Sequence, residues 1–265
     1  MDDFLTKLLN ETDSNLFKNG CGDKVEIKQK IEDSFKNIKN NPTKIINDII
    51  ANGDTMAVYR FLLLELKKFK PKELKVIQNI IKSGGFTYSI NEVKDYTKVF
   101  NRDFKLHNRD TIFYNEYYSY LFIHRDDKKL YLSTLMKDFY KIYVNYTKNG
   151  TDRVDFSDLI KLLHFIRKGK TPLYNSKYRE FFCLKDINSI VNKSSSTLMD
   201  DKIDLFQKQY YFLSKIFDYI VKESNQKSRS PYNFSKYFKE FNEKFYINDK
   251  GVTQHKMIDY AIWYS

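Results

Sequence analysis

The sequence predicts an all-α protein built of many helices. Glycine and proline are scarce, at 8 and 4 of 265 residues. Apolar residues recur three and four apart through most of the chain, the spacing of a helix face. The only strand-like run, Phe86-Thr87-Tyr88, is too short to found a sheet. A chain of this length holds one large core or two modest ones. Two helical lobes are expected, at 1–85 and 111–265, joined by a linker or irregular segment at 86–110, with a single domain as the alternative.

The N-terminal third reads as short helices broken at Gly20-Cys21-Gly22, at Asn40-Asn41-Pro42 and at Asn52-Gly53, where Asp54 can cap the next helix. Met56, Tyr59, Leu62, Leu63 and Leu66 form the apolar face of that helix. Pro71 suits the first turn of another, with Leu74, Ile77, Ile80 and Ile81 facing inward until Ser83-Gly84-Gly85. After the polar stretch to Asp110 come two aromatic-rich helices, Ile112 to Ile123 and Lys129 to Thr147, the second closed by Lys148-Asn149-Gly150. Such a density of Tyr and Phe is more often core than binding platform. Asp155 or Ser157 starts the helix that carries Leu159, Leu162, Leu163 and Ile166, and Gly169 stops it. The longest predicted helix runs from about Asp200 to Glu223, with Ile203, Phe206, Tyr210, Leu213, Phe217 and Ile220 on one face. Two closing helices follow, near Phe234 to Phe245 and Thr253 to Trp263.

Hydrophobic residues make up 42% of the chain, enough to bury a core. No apolar run approaches the roughly 20 residues that cross a bilayer, and Met1-Asp2-Asp3-Phe4 is acidic where a signal peptide would be basic. A soluble, intracellular protein, cytoplasmic or nuclear, is expected. Cys21 and Cys183 stand far apart, without a CxxC or a companion His cluster, and read as reduced thiols. His107, His124, His164 and His255 are isolated from one another in sequence. Neither a metal nor a cofactor is predicted. The nucleotide-binding loops, the zinc-protease motif and the serine elbow are missing, so no catalytic residue can be named.

Lys and Arg number 46 against 34 Asp and Glu, a net charge of +12. Such an excess attracts polyanions, and DNA or RNA is the natural partner. The competing reading is a compositional bias in which lysines solvate helix surfaces. The segment Lys161 to Arg179 holds six Lys or Arg and no acid. Lys161 and His164 share one helix surface, and Arg167, Lys168 and Lys170 crowd the following turn.

The run Lys161-Leu162-Leu163-His164-Phe165, followed by Pro172-Leu173-Tyr174-Asn175-Ser176, resembles a stretch in a group of uncharacterised proteins related to the helix-hairpin-helix DNA glycosylases. Ile160 stands where that pattern has serine. The order of a long helix, a second helix and Ile258-Asp259-Tyr260-Ala261-Ile262-Trp263 resembles the same group, over roughly Leu130 to Ser265. The resemblance implies a helix-hairpin-helix C-terminal lobe and DNA as a partner. It also implies a catalytic aspartate at the position that Asn175 occupies. An amide neither takes a proton nor carries a full negative charge, so base excision is not expected through this residue. The hairpin would fall at Asn149-Gly150-Thr151 through Val154, and the strand-cleaving lysine of the superfamily would fall near Asp155.

The expected function is therefore nucleic-acid binding without base excision. Lys161, Arg167, Lys168, Lys170, Lys177 and Arg179 would contact phosphate, and Tyr174 or His164 would stack on an exposed base, with Asn175 beside them. The alternatives are an active glycosylase-like enzyme using another acid, such as Asp155, Asp158 or Asp186, and a protein-interaction scaffold or homo-oligomer in which the aromatic surplus forms an interface.

Overall fold

The computed structural model describes residues 4–52, 54–68, 91–104, 106, 111–127, 129–145, 156–190, 195–226, 229–245 and 252–265. In chain order the helices are α1 (Phe4–Glu11), α2 (Lys24–Asn40), α3 (Pro42–Ala51), α4 (Asp54–Lys68), α5 (Asn91–Phe104) and α6 (Thr111–His124). They continue with α7 (Leu132–Asn145), α8 (Phe156–Ile166), α9 (Ser176–Phe181), α10 (Ser195–Ser224), α11 (Ser235–Lys244) and α12 (Gln254–Trp263). Among the described residues there is no strand, and the all-α class holds. No helix among them is long and apolar enough to cross a membrane.

Local chemistry sets most boundaries. Asp23 opens α2 with a reciprocal capping box, its carboxylate accepting from Val25 and Glu26 N–H while the Glu26 carboxylate accepts from Asp23 N–H. Gly22 just before it has φ +95°, and a Cβ there would collide with that Glu26 carboxylate. Pro42 takes the first position of α3, where no N–H is missed. Thr253 caps α12 through Lys256 N–H.

The stretch 86–110, expected to be a linker, contains α5. Its Tyr96, Thr97 and Phe100 are buried. Among its described side chains this buried face alternates with charged residues such as Lys98, Arg102 and Asp103, so the pattern is easily overlooked. The helix expected after Pro71, the hairpin at 149–154, His107 and Asp155 lie outside the described residues.

The chain divides into two compact units, 1–51 with 170–265, and 52–169. The expected boundaries near 85 and 110 therefore give way to a discontinuous division, because the N-terminal helices pack on the C-terminal ones. In the first unit Phe35 of α2 is surrounded by Phe181, Phe182, Tyr232 and Phe234. Lys39 donates to the Ser230 carbonyl, and Tyr232 donates to Glu32. The long helix α10 buries Phe206, Gln209, Tyr210, Phe212, Leu213, Ile216, Phe217 and Ile220. The second unit has its own aromatic centre, where Phe100 and Phe165 meet Phe104, Tyr117, Tyr118 and Tyr59.

Candidate nucleic-acid interface

The basic segment is cut in two at Gly169, which is also where the compact units divide. Helix α8 ends in a Schellman closure: Gly169 N–H donates to the His164 carbonyl at 2.7 Å and Lys168 N–H to the Phe165 carbonyl at 3.0 Å. The left-handed residues are Lys168 at φ +54° and Gly169 at φ +75°.

Before the cut, the cations serve the second unit itself. Lys161 lies 2.9 Å from the carboxylate of Asp158, which is buried and needs a counter-charge. Arg167 donates to the Leu130 carbonyl at 3.2 Å. Lys168, more exposed, reaches Asp126 at 3.0 Å. His164 is wholly buried, its Nε2 3.0 Å from the Tyr59 hydroxyl. Its ring packs in the core, so the expectation that it stacks on a base does not fit this conformation.

Beyond the cut, Lys170 and Lys177 are exposed. Arg179 lies 3.6 Å from Asp186, with both side chains partly in solvent. Tyr174 is buried and donates to the Gln209 side chain, so it too is withdrawn from stacking. Burial holds its phenol well above the ordinary range. Asn175 is the N-cap of α9, its Oδ1 accepting Tyr178 N–H at 3.2 Å. This structural duty is one that asparagine and aspartate perform equally.

Arg179 joins Lys18 and Lys185 around a groove of about 470 Å³, which Glu180, Asp186 and Ser189 also line. Backbone pairing sets the cations in place. Phe17 and Leu184 form an isolated antiparallel bridge, Lys18 N–H donates to the Cys183 carbonyl, and Lys185 N–H donates to the Leu16 carbonyl, both at 2.8 Å. Gln209, wholly buried, pins both sides by donating to the carbonyls of Leu16 and Lys185 at 3.1 and 2.9 Å. Lys18, Lys185 and Gln209 were not among the residues singled out from the sequence. The long-range pairing that unites them has no local signal.

Within the first unit the Pro172–Ser176 run meets the C-terminal run that ends in Trp263. Leu173 N–H donates to Asp259 Oδ1 at 3.2 Å, and Tyr210 donates to the Pro172 carbonyl at 3.2 Å. Asp259 and Lys256 are both buried, with Nζ 3.9 Å from Oδ2, and Lys256 lies over the Tyr260 ring. Burial pushes the Asp259 carboxyl well above its usual range and the Lys256 ammonium down to about 7. Asp259 anchors the 172–175 turn to α12 through Leu173 N–H.

Of the acids considered for catalysis, Asp158 is committed to Lys161, and Asp186 caps the turn at Asn188. Neither a family model, a curated protein nor a solved structure matches the chain.

Proposed function

We propose that the protein binds the phosphate backbone of nucleic acid, without base excision, through the cations that follow Gly169 together with those of the N-terminal turn. The observation that carries this reading is the set Lys18, Arg179 and Lys185 around one groove, with exposed Lys177 on the same short helix as Arg179, in a chain of net charge +12. A mobile ammonium or a guanidinium fork that is not consumed by a buried acid can exchange its counter-ions for phosphate. By the same criterion Lys161 and Arg167 contribute little, since their partners lie within the second unit. Glu180 and Asp186 line the groove too, so binding should be modest and sharply weakened by salt.

Salt titration of binding to labelled single-stranded and duplex DNA and RNA tests this reading. Changing Lys18, Arg179 and Lys185 together to Ala should weaken binding and lower the slope of log K against log salt by roughly 2–3, close to one unit per lost phosphate contact. The Arg167→Ala, Lys168→Ala pair should leave that slope nearly unchanged. Binding that ignores salt, or that survives the triple change intact, would sink the proposal.

A further inference from the structure

The two cysteines, distant in sequence, are brought close in the first unit by Lys18, whose N–H meets the Cys183 carbonyl and whose carbonyl meets Cys21 N–H, and both are free thiols. Backbone contacts on both sides hold them there. The Phe17–Leu184 bridge brings the strands of chain together, and Lys18 N–H donates to the Cys183 carbonyl at 2.8 Å. Cys21 N–H then folds back onto the Lys18 carbonyl at 3.2 Å, through a turn flanked by Gly20 and Gly22 at φ +85° and +95°. Lys30 of α2 fastens the same turn by donating to the Cys21 carbonyl at 2.8 Å. On the other side α9 ends in a second Schellman closure, Leu184 N–H to the Arg179 carbonyl at 2.7 Å, which sets Cys183 at φ +56°.

We propose that Cys21 and Cys183 are a redox modification site, closing to an intramolecular disulfide in the presence of a low-molecular-weight disulfide oxidant. Cys21 is half-buried and Cys183 is buried, so the oxidant meets Cys21 first. The Cys21 thiolate attacks one sulfur of R–S–S–R, forming Cys21–S–S–R and releasing R–S⁻. Cys183 then loses its proton, attacks the Cys21 sulfur and expels the second R–S⁻. The protein gives up two electrons and two protons, and the oxidant leaves as two R–SH. Burial and the adjacent Cys21 push the Cys183 thiol up to about 11, while Lys18 and Lys30 pull it down. The second step therefore runs faster as pH rises toward that value, and the mixed disulfide accumulates at lower pH.

The test is incubation of the full chain with oxidised glutathione at about pH 8.5, alkylation of remaining thiols, intact mass measurement and peptide mapping. The expected product has lost two hydrogens, carries no glutathione, and joins the peptides of Cys21 and Cys183. Its melting temperature should rise by roughly 5–10 °C, because the link closes most of the chain into one loop, and dithiothreitol should reverse the change. Cys21→Ser should abolish both effects while melting like the reduced wild type. Cys183→Ala should stop at a glutathione adduct on Cys21. A stable adduct on Cys21 in the wild type with Cys183 still alkylatable after denaturation, a dimer linked through Cys21, or no reaction would each overturn the proposal.

Discussion

Lys168 occupies the left-handed position that closes α8, at φ +54°, with Gly169 immediately after it. A side chain at this position strains the backbone, and its ion pair with Asp126 is solvent-exposed and returns little. Lys168→Gly should therefore raise stability by about 0.5–1 kcal/mol, read as a higher urea midpoint with an unchanged slope. Asn175 carries the opposite expectation. Its cap on Tyr178 N–H is lost in Asn175→Ala at a cost of about 1 kcal/mol, whereas Asn175→Asp should keep the stability within a few tenths. Tyr59→Phe removes the hydroxyl that lies 3.0 Å from the His164 Nε2 in the core, and should cost about 1–3 kcal/mol in denaturant titration. All three residues stand in or beside the segment that looked functional in sequence, and all three are explained first by folding.

Among the elements, α12 has the sharpest electrostatic signature. Lys256 binds its proton less tightly folded than unfolded, at about 7 against 10.5. Stability should consequently climb with pH across that window, since the unfolded chain holds the extra proton there. Asp259, raised by burial, acts in the opposite sense from about pH 4 upward until its own folded value is passed. Lys256→Met keeps an apolar stem over Tyr260 and removes the lysine contribution. Between about pH 7.5 and 9.5, wild type should gain roughly 2–3 kcal/mol relative to this variant in chemical denaturation. Parallel curves for the two proteins would show that Lys256 is not desolvated in solution. Helix α10 shows how periodicity is enriched by packing. The predicted stripe is buried at Phe206, Tyr210, Leu213, Phe217 and Ile220 and only half-buried at Ile203, while Gln209, a polar residue that binds three other segments, is buried as well.

At the scale of the molecule, the charge excess and the aromatic surplus have separate destinations. Phe35, Phe100, Phe139, Phe165 and Phe182 are fully buried, so the aromatics build cores in each unit. The remaining cations give the surface its sign. On the proposed phosphate-backbone reading, a sulfated polysaccharide such as heparin should displace DNA and RNA alike, with single- and double-stranded probes competing within about tenfold at equal salt, because backbone contacts carry no sequence information. A strong preference for one base sequence in a competition assay would contradict a backbone-only interface.

Local rules written in the chain determined the helices: few glycines and prolines, apolar residues at helical spacing, and caps such as Asp23, Thr253 and the Gly169 stop. These act over one or two turns, so they are legible without knowing what packs where. Helix α5 was missed because the described residues of its buried face stand among charged ones, and the division into units because α1 to α3 find their partners at the other end of the chain. Only tertiary structure decided which basic residues stay exposed. Arg167 meets the Leu130 carbonyl, Lys168 meets Asp126, and Lys18 and Lys185 are brought to Arg179 by contacts spanning much of the sequence. A cation's availability depends on the acid or carbonyl that packing places beside it, and the order of residues along the chain does not contain that placement in any local form.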